Sequence, residues 1–166
     1  LAELQDTLEI RAVGYDHPDA VAMVAAVQQV YTERYGGGDS SPVAVADFTP
    51  PEGLFLIGYV DGVAAVCGGW RFRRAEQDPD VLRDGDVELK RMYVIDAMRG
   101  RGLARRMLAE LEDRAAAAGS PRMVLETGVR QPEAIELYRS AGYSVLPKFG
   151  YYRDFPTSRC FSKPLI

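Results

Sequence analysis

Two hydrophobic periods divide this chain. Val21, Val24, Val27, Gln28 and Tyr31 recur at helical spacing behind Asp16-His17-Pro18. Proline is tolerated in a first turn, so this predicts a helix running to about Tyr35. Gly36-Gly37-Gly38-Asp39 ends it in a flexible loop, and Ser41-Pro42 predicts the start of a short second helix through Asp47. Leu8 to Val13 reads as a first strand. Leu54 to Val60 and Val63 to Phe72 are apolar, β-rich runs joined by Asp61-Gly62. Asp-Gly there predicts a hairpin, because both central residues of a type I′ turn need positive φ. Arg74 to Asp86 is polar and holds Pro79 and Gly85, which makes it a loop.

The second half alternates. A strand over Val87 to Val94 leads through a Gly-rich turn into a helix from about Gly102 to Ala118, stopped by Gly119-Ser120-Pro121. Met123 to Thr127 is the next strand. Pro132 to Ala141 is a helix with Gly142 just past its end. Tyr143 to Leu146 and Arg159 to Lys163 complete the strands. The order predicts a mixed sheet with helices packed on it, in the α/β or α+β class, as one domain over residues 1–166. Within Val87 to Val94 the apolar phase slips: Val87 and Leu89 share one face of a regular strand, whereas Met92 and Val94 belong to the other. One inserted residue near Lys90-Arg91 produces that slip. A strand buried on both faces would also tolerate it.

Composition narrows the class. At 166 residues, 47% hydrophobic and 27% charged, the chain has the make-up of a soluble globular domain. No apolar run approaches the roughly 20 residues of a membrane span. Leu1 to Asp6 lacks the basic and apolar regions of a secretion signal, so a cytoplasmic protein without membrane association is expected. Cys67 and Cys160 offer no disulfide framework and no metal cluster, so no metal is expected. His17, the only histidine, stands at a helix start and reads as structural. A net charge of −4 argues against a nucleic-acid partner. Yet Arg91, Arg99, Arg101, Arg105, Arg106, Arg114 and Arg122 cluster in sequence, which suits a small polyanion or a solvated helix face.

The sharpest chemical signal is Arg99-Gly100-Arg101-Gly102-Leu103-Ala104, where a strand gives way to a helix. The first N–H groups of a helix lack intrahelical acceptors and carry partial positive charge. Glycines let a phosphate approach that backbone, and Arg99 and Arg101 add charge-assisted donors. A dinucleotide fingerprint would need glycine where Arg105 stands, and a Walker-type loop would need Gly-Lys-Ser/Thr. The loop instead resembles the GNAT superfamily of acyl-coenzyme A-dependent acyltransferases, whose [Gln/Arg]-x-x-Gly-x-[Gly/Ala] pattern is met by Arg99, Gly102 and Ala104. The flanking strands and Gln131-x-x-Ala134-Ile135-x-Leu137-Tyr138-x-x-x-Gly142-Tyr143 stand in the family's order, with Gln131 where asparagine is usual.

This resemblance implies a GNAT-like fold and acetyl-CoA as co-substrate, with its pantetheine arm between the strands at Val87 to Val94 and Met123 to Thr127. The binding residues it implies are Met92, Tyr93, Val94, Arg99, Gly100, Arg101, Gly102, Leu103, Ala104, Gln131 and Tyr138. The implied reaction is N-acetyl transfer to a primary amine of a small molecule or peptide, by direct attack through a tetrahedral intermediate. Tyr138 is by resemblance the general acid for the departing thiolate, although it also falls on the apolar face of its helix. Glu88, a carboxylate in a β-prone run near the expected split, is the candidate general base, directly or through water. A free N–H of Met92 or Val94 is a candidate oxyanion donor. The family's acceptor site is shaped by the first helices and the C-terminal strand pair. Here these regions offer Tyr31, Tyr35, Trp70, Phe149, Tyr151, Tyr152 and Asp154. A homodimer is compatible with this reading. A non-catalytic coenzyme A-binding sensor or interaction module of the same fold is the alternative.

Overall fold

The computed structural model describes residues 7–165. Leu1 to Asp6, read above as carrying no secretion signal, lies outside the described residues. In chain order the elements are β1 (Leu8–Ala12), α1 (Pro18–Tyr35), β2 (Gly53–Val60), β3 (Val63–Phe72), β4 (Val87–Val94), α2 (Leu103–Ala117), β5 (Arg122–Gly128), α3 (Pro132–Ser140), β6 (Ser144–Leu146) and β7 (Ser158–Pro164). The strands form one sheet in the order β1-β2-β3-β4-β5-β7-β6. β4 and β5 run parallel, joined by the α2 crossover, and the other neighbours pair antiparallel.

Local chemistry sets the element ends. His17 caps α1, its Nδ1 accepting the Asp19 N–H at 3.0 Å, and Gly36 closes that helix at φ 82°. Asp61 and Gly62 stand at φ 50° and 79°, the two positive values that the hairpin required. The expected helix from Ser41 to Asp47 is shorter and later: a single 3₁₀ turn spans Val45–Phe48. Asp39 draws the preceding stretch away from helix, accepting from both the N–H and the hydroxyl of Ser41.

The sheet is covered on both faces. Leu103, Met107, Leu108, Leu111 and Ala115 form one stripe of α2, buried against β2, β3 and β4. Burying each large apolar side chain of that stripe contributes ~1.5–3 kcal/mol. Trp70, read above as an acceptor contact, belongs to this core. It is 4% exposed, and its indole Nε1–H donates to the Leu111 carbonyl at 3.1 Å. Ala20 and Met23 of α1 pack with Phe48, Phe55, Ile57 and Cys67 on the opposite face. Both cysteines are buried free thiols.

Candidate active site

The site begins with one extra residue. Cys67 and Gly69 of β3 face Tyr93 and Lys90 of β4, so two steps on one strand meet three on the other. Arg91 takes up the excess at φ 63°, an unusual conformation for a residue with a Cβ. Its guanidinium is buried against Asp39, which also receives Lys90 at 3.2 Å. Burial alone would raise the Asp39 pKa, but the charges of Lys90 and Arg91 outweigh it and hold the carboxyl far below its ordinary value. Across the bulge, a Cβ on Gly68 would lie 2.6 Å from Met92 Sδ, so glycine there makes room for the displaced side chain. The slipped phase is thereby explained: Val87, Leu89, Met92 and Val94 all pack on the α2 face.

The bulge coincides with a split in the sheet. β4 and β5 pair at Val87–Met123 and Glu88–Val124, yet β4 continues to Val94 and β5 to Gly128. Beyond Glu88, the β5-facing backbone of β4 therefore has no strand partner. A cleft of about 970 Å³ fills the opening. The N-terminus of α2 stands at one end of it. No side chain of the described residues caps that helix, and Gly102, its N-cap residue, has φ 74°. Gly100 has φ 79°, and a Cβ on either glycine would meet nothing within 4 Å. The glycines thus serve backbone conformation, and they leave the first helical N–H groups open to an anion. Met92, Tyr93, Val94, Arg99, Gly100, Gly102, Leu103, Ala104, Gln131 and Tyr138 all line the cleft. Arg101 does not, although the sequence placed it among the binding residues. The cradle fits a pyrophosphate: uncapped N–H donors, a helix dipole and the half-exposed Arg99 converge on it.

Two acidic side chains reach the split with opposite electrostatics. Glu88 is 6% exposed, and its Oε1 accepts from Arg71 Nε at 2.9 Å and Arg73 Nη1 at 2.7 Å. Burial pushes its pKa up, but Lys90, Arg71 and Arg73 together push harder and leave it below the ordinary value. A carboxylate so held is a weak proton acceptor, which speaks against the role expected of it. Glu126 of β5 lies beyond the split, and among the described residues its carboxyl accepts a hydrogen bond from Ser158 Oγ at 3.1 Å. Burial raises its pKa to about 7, with the Ser158 bond and Lys90 opposing and Asp39 and Glu88 reinforcing. The sequence carried the same signal for Glu126 as for Glu88, a lone carboxylate in an apolar strand, but nothing in it marked which would be neutralised.

Tyr138 approaches from α3. It is buried and packs edge-on against Tyr143 at 5.6 Å between ring centroids. Its hydroxyl has no hydrogen-bond partner among the described residues and is not sealed in the core, so it opens onto the cleft. Burial, then the charge of Glu126, raise its pKa well above the ordinary tyrosine value. Strand alternation sets Glu126 on the face away from Met123 and Leu125, whereas Tyr138 packs with those two residues. The two groups therefore flank the split from opposite faces of the sheet. Tyr31, Tyr35 and Tyr151 also line the cleft, and the Tyr35 hydroxyl donates to Gln131 Oε1 at 3.3 Å. Asp154 is exposed and borders neither this cleft nor the cavity beside it.

That neighbouring cavity, about 500 Å³, lies toward the end of β3. Phe149 lines it, and Glu88, Lys90, Glu126, Tyr151 and Tyr152 border both spaces. Among the described residues, no group of three or more histidine, cysteine or acidic side chains could hold a metal ion. No helix of the described residues is long and apolar enough to cross a membrane.

Comparison with known proteins agrees with this architecture. Residues 22–143 match the acetyltransferase (GNAT) family, whose members use acetyl-CoA. An IAA acetyltransferase of Azospirillum brasilense is 30% identical over 145 residues, covering 87% of this chain and 90% of that protein. A Klebsiella pneumoniae protein, described as an acyl-CoA N-acyltransferase, superposes with a TM-score of 0.77 at 28% identity, covering 96% and 99% of the two chains. A Salmonella typhimurium protein solved with its cofactor acetyl-CoA shares the fold, with a TM-score of 0.63 at 20% identity over 96% and 95%. A match of that extent, on a sheet that splits beside an uncapped helix N-terminus, makes this chain a member of the GNAT family of acetyltransferases and an acyltransferase enzyme.

Proposed function

We propose that this protein transfers an acetyl group from acetyl-CoA to a primary amine, of a small molecule or a peptide, with Glu126 as general base and Tyr138 as general acid. The observation that carries the reading is the pairing of these two groups across the split. Glu126 is poised near neutral pH and Tyr138 is kept protonated. A base is most effective with a pKa near the working pH, and an acid must still hold its proton when the leaving group departs. An amine enters with a pKa of roughly 10 and must lose a proton to attack. Glu126 faces the cavity from which it would come.

The remaining parts follow from the backbone. The N-terminal turn of α2 and Arg99 would hold the pyrophosphate, and the unpaired edge of β4 at Met92 to Val94 offers N–H groups to the pantetheine and the developing oxyanion. Bound acetyl-CoA supplies the thioester; the chain orients it, takes the amine proton at Glu126 Oε and offers the Tyr138 proton to the sulfur. Tyr31, Tyr35 and Tyr151 form an aromatic wall suited to steering the acceptor.

Calorimetry with acetyl-CoA tests the cradle through two nearly isosteric variants. Asparagine and aspartate both tolerate positive φ, so Gly102→Asn and Gly102→Asp differ mainly in charge. The expected result is affinity at least roughly tenfold weaker for the aspartate variant, the scale of a misplaced charge beside an anion site. Equal affinity for both would remove the pyrophosphate from the α2 N-terminus.

A further inference from the structure

The cavity beside the split has a charged floor that the acyl-transfer chemistry does not use. Arg71, near the end of β3, and Arg73, just past it, direct their guanidinium groups to the same atom, Glu88 Oε1, at 2.9 and 2.7 Å. Arg71 is fixed further through Nη1 by the Pro42 carbonyl at 3.0 Å and Asp47 Oδ2 at 3.3 Å. Arg73 is fixed through Nε by Gln77 Oε1 at 2.7 Å. Both side chains are therefore held in place at 15% and 13% exposure. In each, Nη2 meets no partner among the described residues, and neither nitrogen is sealed in the core. Both arginines line the cavity, so their remaining donors point the pocket's chemistry toward an acceptor of hydrogen bonds.

Glu126, the proposed base, borders the same cavity. Arg71 is the cross-strand partner of Glu88, and Glu88 in turn faces Val124, two residues before Glu126. Arg71 and Glu126 are thus separated by two strand spacings across the sheet and two residues along it, roughly 12 Å between Cα atoms. By strand alternation both side chains stand on the same face of the sheet as Glu88, and both border this one cavity. The volume, about 500 Å³, falls within the roughly 300–1,000 Å³ of small-ligand sites.

We infer that the acceptor is an amino acid-like molecule, whose amine meets Glu126 and whose carboxylate is held by the Nη2 donors of Arg71 and Arg73. This inference rests on the transferase reading above and names its substrate class. A carboxylate suits the floor better than a phosphate. Glu88 and Asp47 already lie against the two guanidiniums and would repel a dianion more strongly than a single charge, and the two oxygens of a carboxylate can take one donor from each fixed arginine. The fixed arginines also lose little side-chain freedom on binding.

The test is a thiol-release assay with acetyl-CoA on the standard α-amino acids and a short series of ω-amino acids, each beside its primary amide. The amide keeps the amine, removes the negative charge and replaces one acceptor oxygen by an N–H donor. The best acids should exceed their amides in kcat/KM by roughly 10- to 100-fold, the effect of a lost charge-assisted hydrogen bond. Arg73→Gln should raise KM for the acid by a similar factor, raise that of the amide much less and so erase most of the preference; Arg73→Lys should restore part of it. A disrupted fold would slow acid and amide alike, which separates damage from lost recognition. Equal use of acids and amides by the unaltered enzyme overturns the inference. If no compound is turned over, the same acids are titrated calorimetrically into the protein with and without coenzyme A. Saturable binding of an acid, lost in Arg73→Gln, sustains the carboxylate site, and its absence overturns it. The transferase reading stands or falls separately, on acetyl-CoA binding and on turnover of any amine.

Discussion

β4 and β5 offer a comparison within one pair of strands: the half that is hydrogen-bonded and the half that is splayed. Glu88 occupies the last paired position, and Glu126 lies two residues past the split. Both are buried or nearly so, both border the same two cavities, and burial pushes both pKa values up. They end on opposite sides of the ordinary carboxylate value. In the paired half, the intact β3–β4 ladder brings Arg71 beside Glu88 in register and Arg73 two residues on, so the charge is compensated. In the splayed half the neighbouring strand has moved away, and Glu126 keeps a serine hydroxyl as its partner. Burial gives a carboxylate a high pKa only where the sheet withholds its cations.

The sharpest break of this comparison is Glu126→Gln. If the splayed half carries the base, kcat should fall by roughly 10²- to 10⁴-fold, and the limb of the kcat/KM profile that rises through about pH 7 should disappear. Stability should move the other way. A carboxyl whose folded pKa lies above its unfolded value stabilises the fold at low pH and loses that contribution as pH rises through the folded pKa, here up to about 7. Removing the charge should therefore stabilise the protein above pH 7, by as much as ~2–3 kcal/mol. Denaturant melts at pH 5 and pH 8 check this, and an unaltered pH–rate profile would return the base to the paired half.

Tyr138→Phe probes the other wall of the split. The ring and its edge-on contact with Tyr143 survive, and only the hydroxyl is lost. The expected outcome is a kcat lower by roughly 10²-fold, with acetyl-CoA affinity and melting temperature nearly unchanged. A variant that keeps full kcat would reduce Tyr138 to packing. Glu88→Gln should have the smallest kinetic effect, within a few-fold and without a change in the pH limbs. Its cost should appear in stability, ~1–3 kcal/mol, since two arginines lose a charged partner. The sign with pH is opposite to that of Glu126. The folded pKa of Glu88 lies below its ordinary value, so its contribution is present above the unfolded pKa and lost as pH falls through the folded one. The melting difference between the unaltered protein and Glu88→Gln should therefore shrink in acid.

Much of the scaffold is legible in the chain because its causes are local. Asp61-Gly62 dictates its own turn, the stripe from Leu103 to Ala115 its own helix, and the slip between Leu89 and Met92 its own bulge. The cradle is legible for the same reason: Gly100 and Gly102 are needed where the backbone turns through positive φ into α2. Misreadings arose where a side chain's neighbours come from distant sequence. Trp70 looks like an aromatic for an acceptor until Leu111, far along the chain, is seen to accept its indole N–H. The run from Ser41 to Asp47 looks helical until Asp39 claims the Ser41 N–H and hydroxyl.

The sequence by itself determined the order of elements, the family and the place where an anion can be held, because short-range periodicity, turn chemistry and helix ends are properties of contiguous residues. Only the tertiary structure set the two glutamates apart, lowering the pKa of one and raising that of the other. That difference depends on how many cations neighbouring strands bring within a few ångströms, and the electrostatic energy at such distances changes with position in space rather than with position along the chain.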